Sequence, residues 1–167
     1  RDKVDWINGK GVITADDLAR VSARMAEAHS EPGRKVIHAL PIAYFVDGKQ
    51  SVRNPVGMHT HHLEVETHVV TGSAAIIDNL LQAVQGAGLT VDELVLEPLA
   101  SAESVLTPEE REKGVIIADI GGGTTDLVVF KRGSIVYTGV IPVAGYQFTN
   151  DIALTYNTSY DAAEMVK

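Results

Sequence analysis

The run Asp119-Ile120-Gly121-Gly122-Gly123-Thr124-Thr125-Asp126 constrains this chain more than any other stretch. It stands between two β-rich segments, Val115 to Ile120 and Leu127 to Phe130, so the pattern predicts a hairpin with the glycines at its tip. Consecutive glycines remove the Cβ atoms that would block a close approach, and they permit φ > 0. Successive backbone N–H groups in such a turn can converge into an anion-binding nest, to which Thr124 and Thr125 add hydroxyl donors. Asp119, at the end of a buried-type strand, can hold a hydrated Mg2+ beside a polyphosphate. A plain turn needs only one or two glycines and has no use for Asp119 and Asp126 together.

Two other phosphate-binding patterns do not fit. No Gly-Lys-Ser/Thr occurs anywhere, which excludes the Walker loop. The dinucleotide fingerprint would need glycine where Asp126 stands and would run into a helix, whereas Leu127-Val128-Val129-Phe130 continues as strand.

Composition narrows the field further. The chain has 167 residues, room for one medium domain or two small ones. Its 14 Lys+Arg against 22 Asp+Glu give a net charge of −8, which argues against non-specific binding of nucleic acid or of an anionic membrane. Cysteine is absent, so disulfide scaffolds, thiol catalysis and Cys-ligated zinc are excluded, with a lean toward the cytosol. No apolar run approaches the roughly 20 residues of a membrane span. The sequence opens at Arg1 without a signal-peptide pattern and stops at Lys167 directly after a helical pattern. Both ends read as cut, and an internal fragment is expected.

Local patterns order the elements. Thr14-Ala15-Asp16-Asp17 is a capping box with Asp in place of Glu, followed by Leu18, Val21, Met25 and Ala28 at helical spacing, and Glu31-Pro32-Gly33 ends the run. Val36 to Val46 reads as strand and closes on the turn Asp47-Gly48; Arg53 to Gly57 is irregular. Leu63 to Val70 alternates, with Val65, Thr67 and Val69 inward and Glu64, Glu66 and His68 on a charged outer face. That outer face is either an ordinary wet surface or an edge lent to a neighbouring subunit. Ser73 caps a second helix carrying Ile76, Ile77, Leu80, Leu81 and Val84, ended by Gly86 and Gly88. Val91 to Leu96 reads as a short strand, and Pro98 opens a helix with Leu99, Ala102 and Leu106 as its stripe. Thr107 to Lys113 is a solvated connection with room for a helical turn. Strands follow at Val115–Ile120, Leu127–Phe130 and Ser134–Val143, then a helix over Gly145–Tyr156 and the start of another at Tyr160. A boundary is expected near Gly88 to Asp92, with a small unit of order strand, helix, strand, strand, helix before it and a three-strand meander with helices after it.

His59, His61 and His62, with His68 nearby, raise the question of a metal. Their spacing matches no helical metal motif and neighbouring strand residues point to opposite faces, so solvated loop histidines are expected instead. Trp6 reads as a packing residue.

The segment Val115 to Asp126 resembles the second phosphate loop of the actin-like ATPase superfamily, which includes actin, rod-shape filament proteins, heat-shock chaperones and sugar kinases. Leu96-Glu97-Pro98-Leu99-Ala100-Ser101 resembles its interdomain connecting helix. Ile141-Pro142-Val143-Ala144-Gly145 with Thr149 and Asp151 resembles the adenosine loop, and Ala163-Glu164 with Lys167 the helix that contacts ribose and adenine. In the first half, Val36-Ile37-His38-Ala39-Leu40-Pro41, Asn54-Pro55-Val56-Gly57-Met58, Leu63-Glu64 and His68-Val69-Val70-Thr71 resemble one family within it, the bacterial cell-division family FtsA. Gly86-Ala87-Gly88-Leu89 and Leu94 to Ser101 extend the likeness over nearly the whole chain.

The resemblance implies an α/β (α+β) fragment of the actin-like fold. Residues 1–90 would be subdomain 1C, an SHS2-like insert, and residues 91–167 part of the ribonuclease-H-like subdomain 2A. It implies a cytoplasmic scaffold at the inner face of the cell membrane that binds ATP and Mg2+, self-associates into filaments, and anchors FtsZ and later division proteins. It also implies ATPase activity that is slow at most, and no nucleic-acid partner. Gly121, Gly122, Gly123, Thr124 and Thr125 would meet the β- and γ-phosphates. Asp119 would sit by the metal and the attacking water, and Glu97 would orient that water. Gly145 would allow close approach at a helix start, where N–H groups point outward. Glu164 and Lys167 would touch the nucleoside.

By their own chemistry, Glu97 is equally a carboxylate favourable to a helix dipole, and Glu164 with Lys167 equally a solvated i,i+3 pair. Ala144 departs from a second glycine common in the family. The family's first phosphate loop, subdomain 2B and the amphipathic membrane helix match nothing in this sequence. Weak or absent nucleotide binding and no turnover are therefore expected of this stretch alone. The alternatives are a PilM-type pilus assembly scaffold, another actin-like ATPase such as a sugar kinase, or an adaptor that binds no nucleotide.

Overall fold

The computed structural model describes residues 11–28, 31–48 and 51–167; Trp6 lies outside them. The chain divides into two compact units, Arg1–Val95 and Leu96–Lys167.

In the first unit, helix α1 (Ala15–Ala28) covers a sheet of order β2-β1-β3, built from β1 (Arg34–Val46), β2 (Ser51–Val52) and β3 (Leu63–Ser73), all antiparallel. The capping box is present. The Asp17 carboxylate accepts from the Thr14 N–H at 2.8 Å and the Thr14 hydroxyl at 2.6 Å. It also accepts from Arg20. Val21 and Met25 then bury against Ile13, Tyr44, Val46, Leu63 and Val65. The β1–β2 turn uses Asp47 and Gly48, both at positive φ (50° and 70°). Asp47 Oδ1 also accepts from the Thr60 hydroxyl and the His61 and His62 N–H groups, each at 2.9 Å, and so clamps the loop before β3. The hydrogen bond from the His61 N–H, with that from the Thr60 hydroxyl, holds the Asp47 carboxyl below the usual carboxylate range.

The expected charged outer face of β3 is not a freely solvated one. Glu64, Glu66 and His68 are half-buried, and burial lowers the His68 imidazole pKa. Helix α2 (Ala74–Gly86) returns onto the hairpin, with Ile77 buried and Lys35 paired with Asp78. Among the described residues no group of three metal-ligating side chains forms around the histidines.

Val91–Leu96 is not a strand. Its sequence has strand character, yet a strand requires a neighbouring chain to take its N–H and C=O groups, and no described strand lies beside it.

The second unit holds a meander of order β4-β5-β6, from β4 (Val115–Ile120), β5 (Thr125–Lys131) and β6 (Ser134–Ile141). Helix α3 (Glu97–Val105) packs Ala102 and Leu99 on Val128, Phe130, Val115 and Ile117. The connection after it is a full short helix, α4 (Pro108–Lys113), with a reciprocal Thr107–Glu110 capping box. Its Arg111 holds the end of α3 through Glu103 and the Ala102 carbonyl. Strand β4 was expected to be buried throughout but is buried on one face only: Ile116 and Ile120 remain more than 60% exposed. Helices α5 (Gly145–Tyr156) and α6 (Tyr160–Val166) close the chain and pack on each other, in part through Tyr146 and Tyr160.

Asp17 should anchor the first unit. Burial raises its pKa, but hydrogen bonds from Thr14 and the Arg20 guanidinium outweigh that and leave it below the usual carboxylate range. A depressed pKa contributes stability that is present above the unfolded value and lost as pH falls through the folded one. Asp17→Asn should therefore cost about 1 kcal/mol at neutral pH in urea unfolding of the full chain. Its deficit relative to the parent should shrink as pH drops below about 4, the unperturbed carboxylate value.

Candidate functional site

Strands β4 and β5 run in register up to Asp119↔Asp126 and Ile120↔Thr125, so residues 121–124 form the hairpin tip. The Gly121 N–H closes it by donating to the Thr124 carbonyl at 2.9 Å. None of the three glycines uses a positive φ, contrary to the freedom anticipated for them. What the glycines supply is space. A Cβ built on Gly122 or Gly123 meets no atom within 4 Å, so packing within the described structure does not require glycine at either position.

The loop divides its peptide polarity. The carbonyls of Gly121 and Gly122 accept from the first two N–H groups of α5, those of Gly145 at 3.0 Å and Tyr146 at 2.7 Å. The N–H groups of Gly122, Gly123 and Thr124 meet no acceptor among the described residues. The α5 N-terminus is therefore spent on the loop, and the unspent donors lie on the loop itself. This close docking favours glycine at 145, where a Cβ would stand 3.2 Å from the Gly121 oxygen and 3.4 Å from Lys167 Nζ. The Thr125 hydroxyl donates to the Val143 carbonyl at 2.7 Å and fixes the segment leading into α5. The Thr124 hydroxyl makes only a long contact, 3.3 Å, with Asp126.

Asp119 lies on the face of β4 that packs against α3. Its Oδ2 accepts from the Ser101 hydroxyl at 2.5 Å, and no described group engages Oδ1. Asp126 stands directly opposite in the register, a like-charge pair with no Lys or Arg among the described residues bonded to either carboxylate. A divalent ion is the chemistry this donor set suits. Glu97, in the first turn of α3, is exposed, and no described group pairs with its carboxylate.

Glu164 and Lys167 come together as the i,i+3 pair, with Lys167 Nζ 2.7 and 2.9 Å from the two carboxylate oxygens. Both also meet Thr149, whose fully buried hydroxyl contacts Glu164 and takes a hydrogen bond from Lys167 at 3.0 Å. The Lys167 ammonium, then the Thr149 hydroxyl, holds the Glu164 carboxyl below its ordinary range. Lys167 Nζ also lies 3.4 Å from the Gly145 carbonyl, so this cluster adjoins the hairpin tip through the first turn of α5.

Hydrogen bonds thus join the glycine loop, Gly145, Glu164 and Lys167, while Asp119 adjoins the loop along β4 and is bonded to Ser101, and Glu97 lies outside both sets. Sequence reasoning passed over Ser101. The i+4 spacing from Glu97 puts the two on one stripe of α3, a signal that would have singled it out.

Comparison with known proteins follows the same division. Residues 2–71 match the family described as "SHS2 domain inserted in FTSA", and residues 116–167 match "Cell division protein FtsA". Cell division protein FtsA of Pseudomonas aeruginosa is 44% identical over 93% of this chain. That of Neisseria meningitidis is 36% identical over 94%. The chain spans 37% and 38% of the lengths of these two relatives. A solved PilM-PilN type IV pilus biogenesis complex aligns over 99% of this chain and 45% of its own, with a TM-score of 0.63 at 22% identity, a likeness of fold. Both halves point to one family on an actin-like α/β framework, and the chain belongs to the FtsA family of cell-division proteins.

Proposed function

We propose that the intact protein is an ATP-binding, actin-like scaffold of bacterial cell division. Nucleotide held at the glycine loop would favour a conformation that pairs with further copies, a switch by differential binding. The filament would anchor FtsZ and receive later division proteins at the inner face of the cell membrane. No described helix is long and apolar enough to cross a membrane, and attachment is proposed through an amphipathic helix outside this stretch.

The unspent donor set at the hairpin tip carries this reading. The N–H groups of Gly122, Gly123 and Thr124 stand free beside space that no side chain fills. Phosphate oxygens are the acceptors such a cup suits. Bound there, Mg·ATP would supply a phosphoanhydride whose cleavage can time disassembly. Gly121 to Thr125 would line the phosphates and Asp119 would hold the metal through its unengaged oxygen. Glu97 would orient the attacking water. Gly145 would keep the cup and α5 in contact, and Glu164 with Lys167 would present a pre-formed ion pair to the nucleoside. Nothing in this set is a strong general base, in keeping with at most slow hydrolysis.

The cup separates folding from binding, which makes the reading testable by calorimetry and thermal melting of the full-length protein. Gly122→Ala and Gly123→Ala should each unfold within about 0.5 kcal/mol of the parent, because the added methyl meets nothing. Each should lower Mg·ATP affinity by about tenfold or more, a loss of roughly 1.4 kcal/mol. Unchanged affinity in both variants, or no nucleotide binding by the parent, would overturn the proposal. Gly145→Ala should behave differently and lose about 1–3 kcal/mol of stability as well as affinity, because its methyl is driven against the Gly121 carbonyl.

A further inference from the structure

We infer that Ser101 is a positioning residue for the metal-binding carboxylate: from its place on α3 it fixes Asp119 without neutralising it, so that one carboxylate oxygen is held and the other is left for a divalent cation. The inference rests on the nucleotide reading given above and adds to it a residue that the loop itself does not contain.

The geometry has three parts. First, the Ser101 hydroxyl donates to Asp119 Oδ2 at 2.5 Å, within the short range of a hydroxyl bound to an ionised carboxylate, whereas the corresponding contact from Thr124 to Asp126 is 3.3 Å. Of the two facing carboxylates, only Asp119 is firmly oriented. Second, the donor comes from a rigid support. Ser101 lies on α3 between Pro98 and Ala102, both buried, and Ala102 sits in the core with Val128 and Phe130 of β5. A side chain set on a packed helix holds its aim better than one on a loop. Third, Asp119 Oδ1 has no partner among the described residues.

The residue type matters as much as the place. Asp119 and Asp126 face each other across the hairpin, and a Lys or Arg at position 101 would relieve that repulsion. It would also cancel the charge a cation needs. A hydroxyl supplies one proton and no charge, so it orients the carboxylate and leaves the electrostatic demand for a divalent ion in place. Groups that hold a metal ligand through a hydrogen bond typically change metal affinity by about tenfold or more when removed.

The test measures ATP binding to the full-length protein by calorimetry across a Mg2+ titration and in excess EDTA, for the parent, Ser101→Ala and Ser101→Thr. Ser101→Ala should need about tenfold more Mg2+ for half-maximal enhancement of ATP affinity. Its metal-free affinity and melting temperature should stay with the parent, and Ser101→Thr, which restores the hydroxyl, should recover the Mg2+ response. If Ser101→Ala keeps the parent's Mg2+ dependence, or loses affinity equally with and without the metal, the positioning role is wrong while the nucleotide reading survives. If the parent shows no Mg2+-dependent ATP binding, the nucleotide reading falls and takes this inference with it.

Discussion

Two hydrogen bonds organise the second unit: the N–H groups of Gly145 and Tyr146, at the start of α5, donate to the carbonyls of Gly121 and Gly122. A helix start carries donors that its own turns cannot satisfy. Here two of them are satisfied by the loop, and the loop is left with its own donors unspent. A peptide segment has as many N–H groups as carbonyls, so turning the carbonyls toward a helix leaves N–H groups to face elsewhere. The unspent donors of the tip thus follow from the docking of α5. The intimacy of that docking favours glycine at 145, where a methyl would be crowded, while Gly122 and Gly123 face open space.

The first unit has a different logic. Its core is assembled between α1 and the β1–β3 hairpin, and its polar anchors, Asp17 and Asp47, hold loops and helix starts in place. Asp17 spends both oxygens, on Thr14 and on the Arg20 guanidinium, and Asp47 gathers three hydrogen bonds on Oδ1. Asp119 in the second unit takes a single side-chain hydrogen bond, from Ser101. The first two each tie several groups together, whereas Asp119 ties only α3 to β4. It is a contrast in hydrogen-bond accounting, not in residue type, and sequence alone does not display it.

Much of the fold was nevertheless legible. The hairpin around the glycines, the Thr14–Asp17 capping box, and the span of α5 all follow from local patterns, because each depends on neighbours within a few residues. Features that depend on distant partners were not legible. Val91–Leu96 has strand composition but no described strand to bond, and for the outer face of β3 the pattern left a wet surface and a lent edge equally open, whereas Glu64, Glu66 and His68 are half-buried. The Thr107–Glu110 capping box was local and readable, yet the density of charge in Pro108–Lys113 suggested a solvated connection with room for no more than a helical turn. At the site, the loop and Asp119 announced themselves through composition. The i+4 spacing from Glu97 was there to flag Ser101, but its bond to Asp119 depends on how α3 packs against β4, a non-local pairing. The glycines were legible as glycines; of the two reasons read for them, positive φ is used by none of the three, and the open space beside Gly122 and Gly123 leaves room for a close approach.

The placement of Lys167 at first sight opposes the electrostatics of the unit, since a cation beside a helix N-terminus works against the helix dipole. Lys167 Nζ lies near the Gly145 carbonyl in that first turn. The loop resolves the conflict, because the carbonyls of Gly121 and Gly122 already sit on the N–H groups from which most of the positive end of the dipole arises. Glu164 and buried Thr149 then compensate the ammonium directly. The cation therefore tolerates this position only while α5 stays docked on the hairpin. Loosening the tip would expose the helix end and weaken the Lys167–Glu164–Thr149 cluster in the same step. Loop, α5 and α6 are for that reason one electrostatic unit, and a ligand that stabilises the loop must also stabilise the two helices behind it.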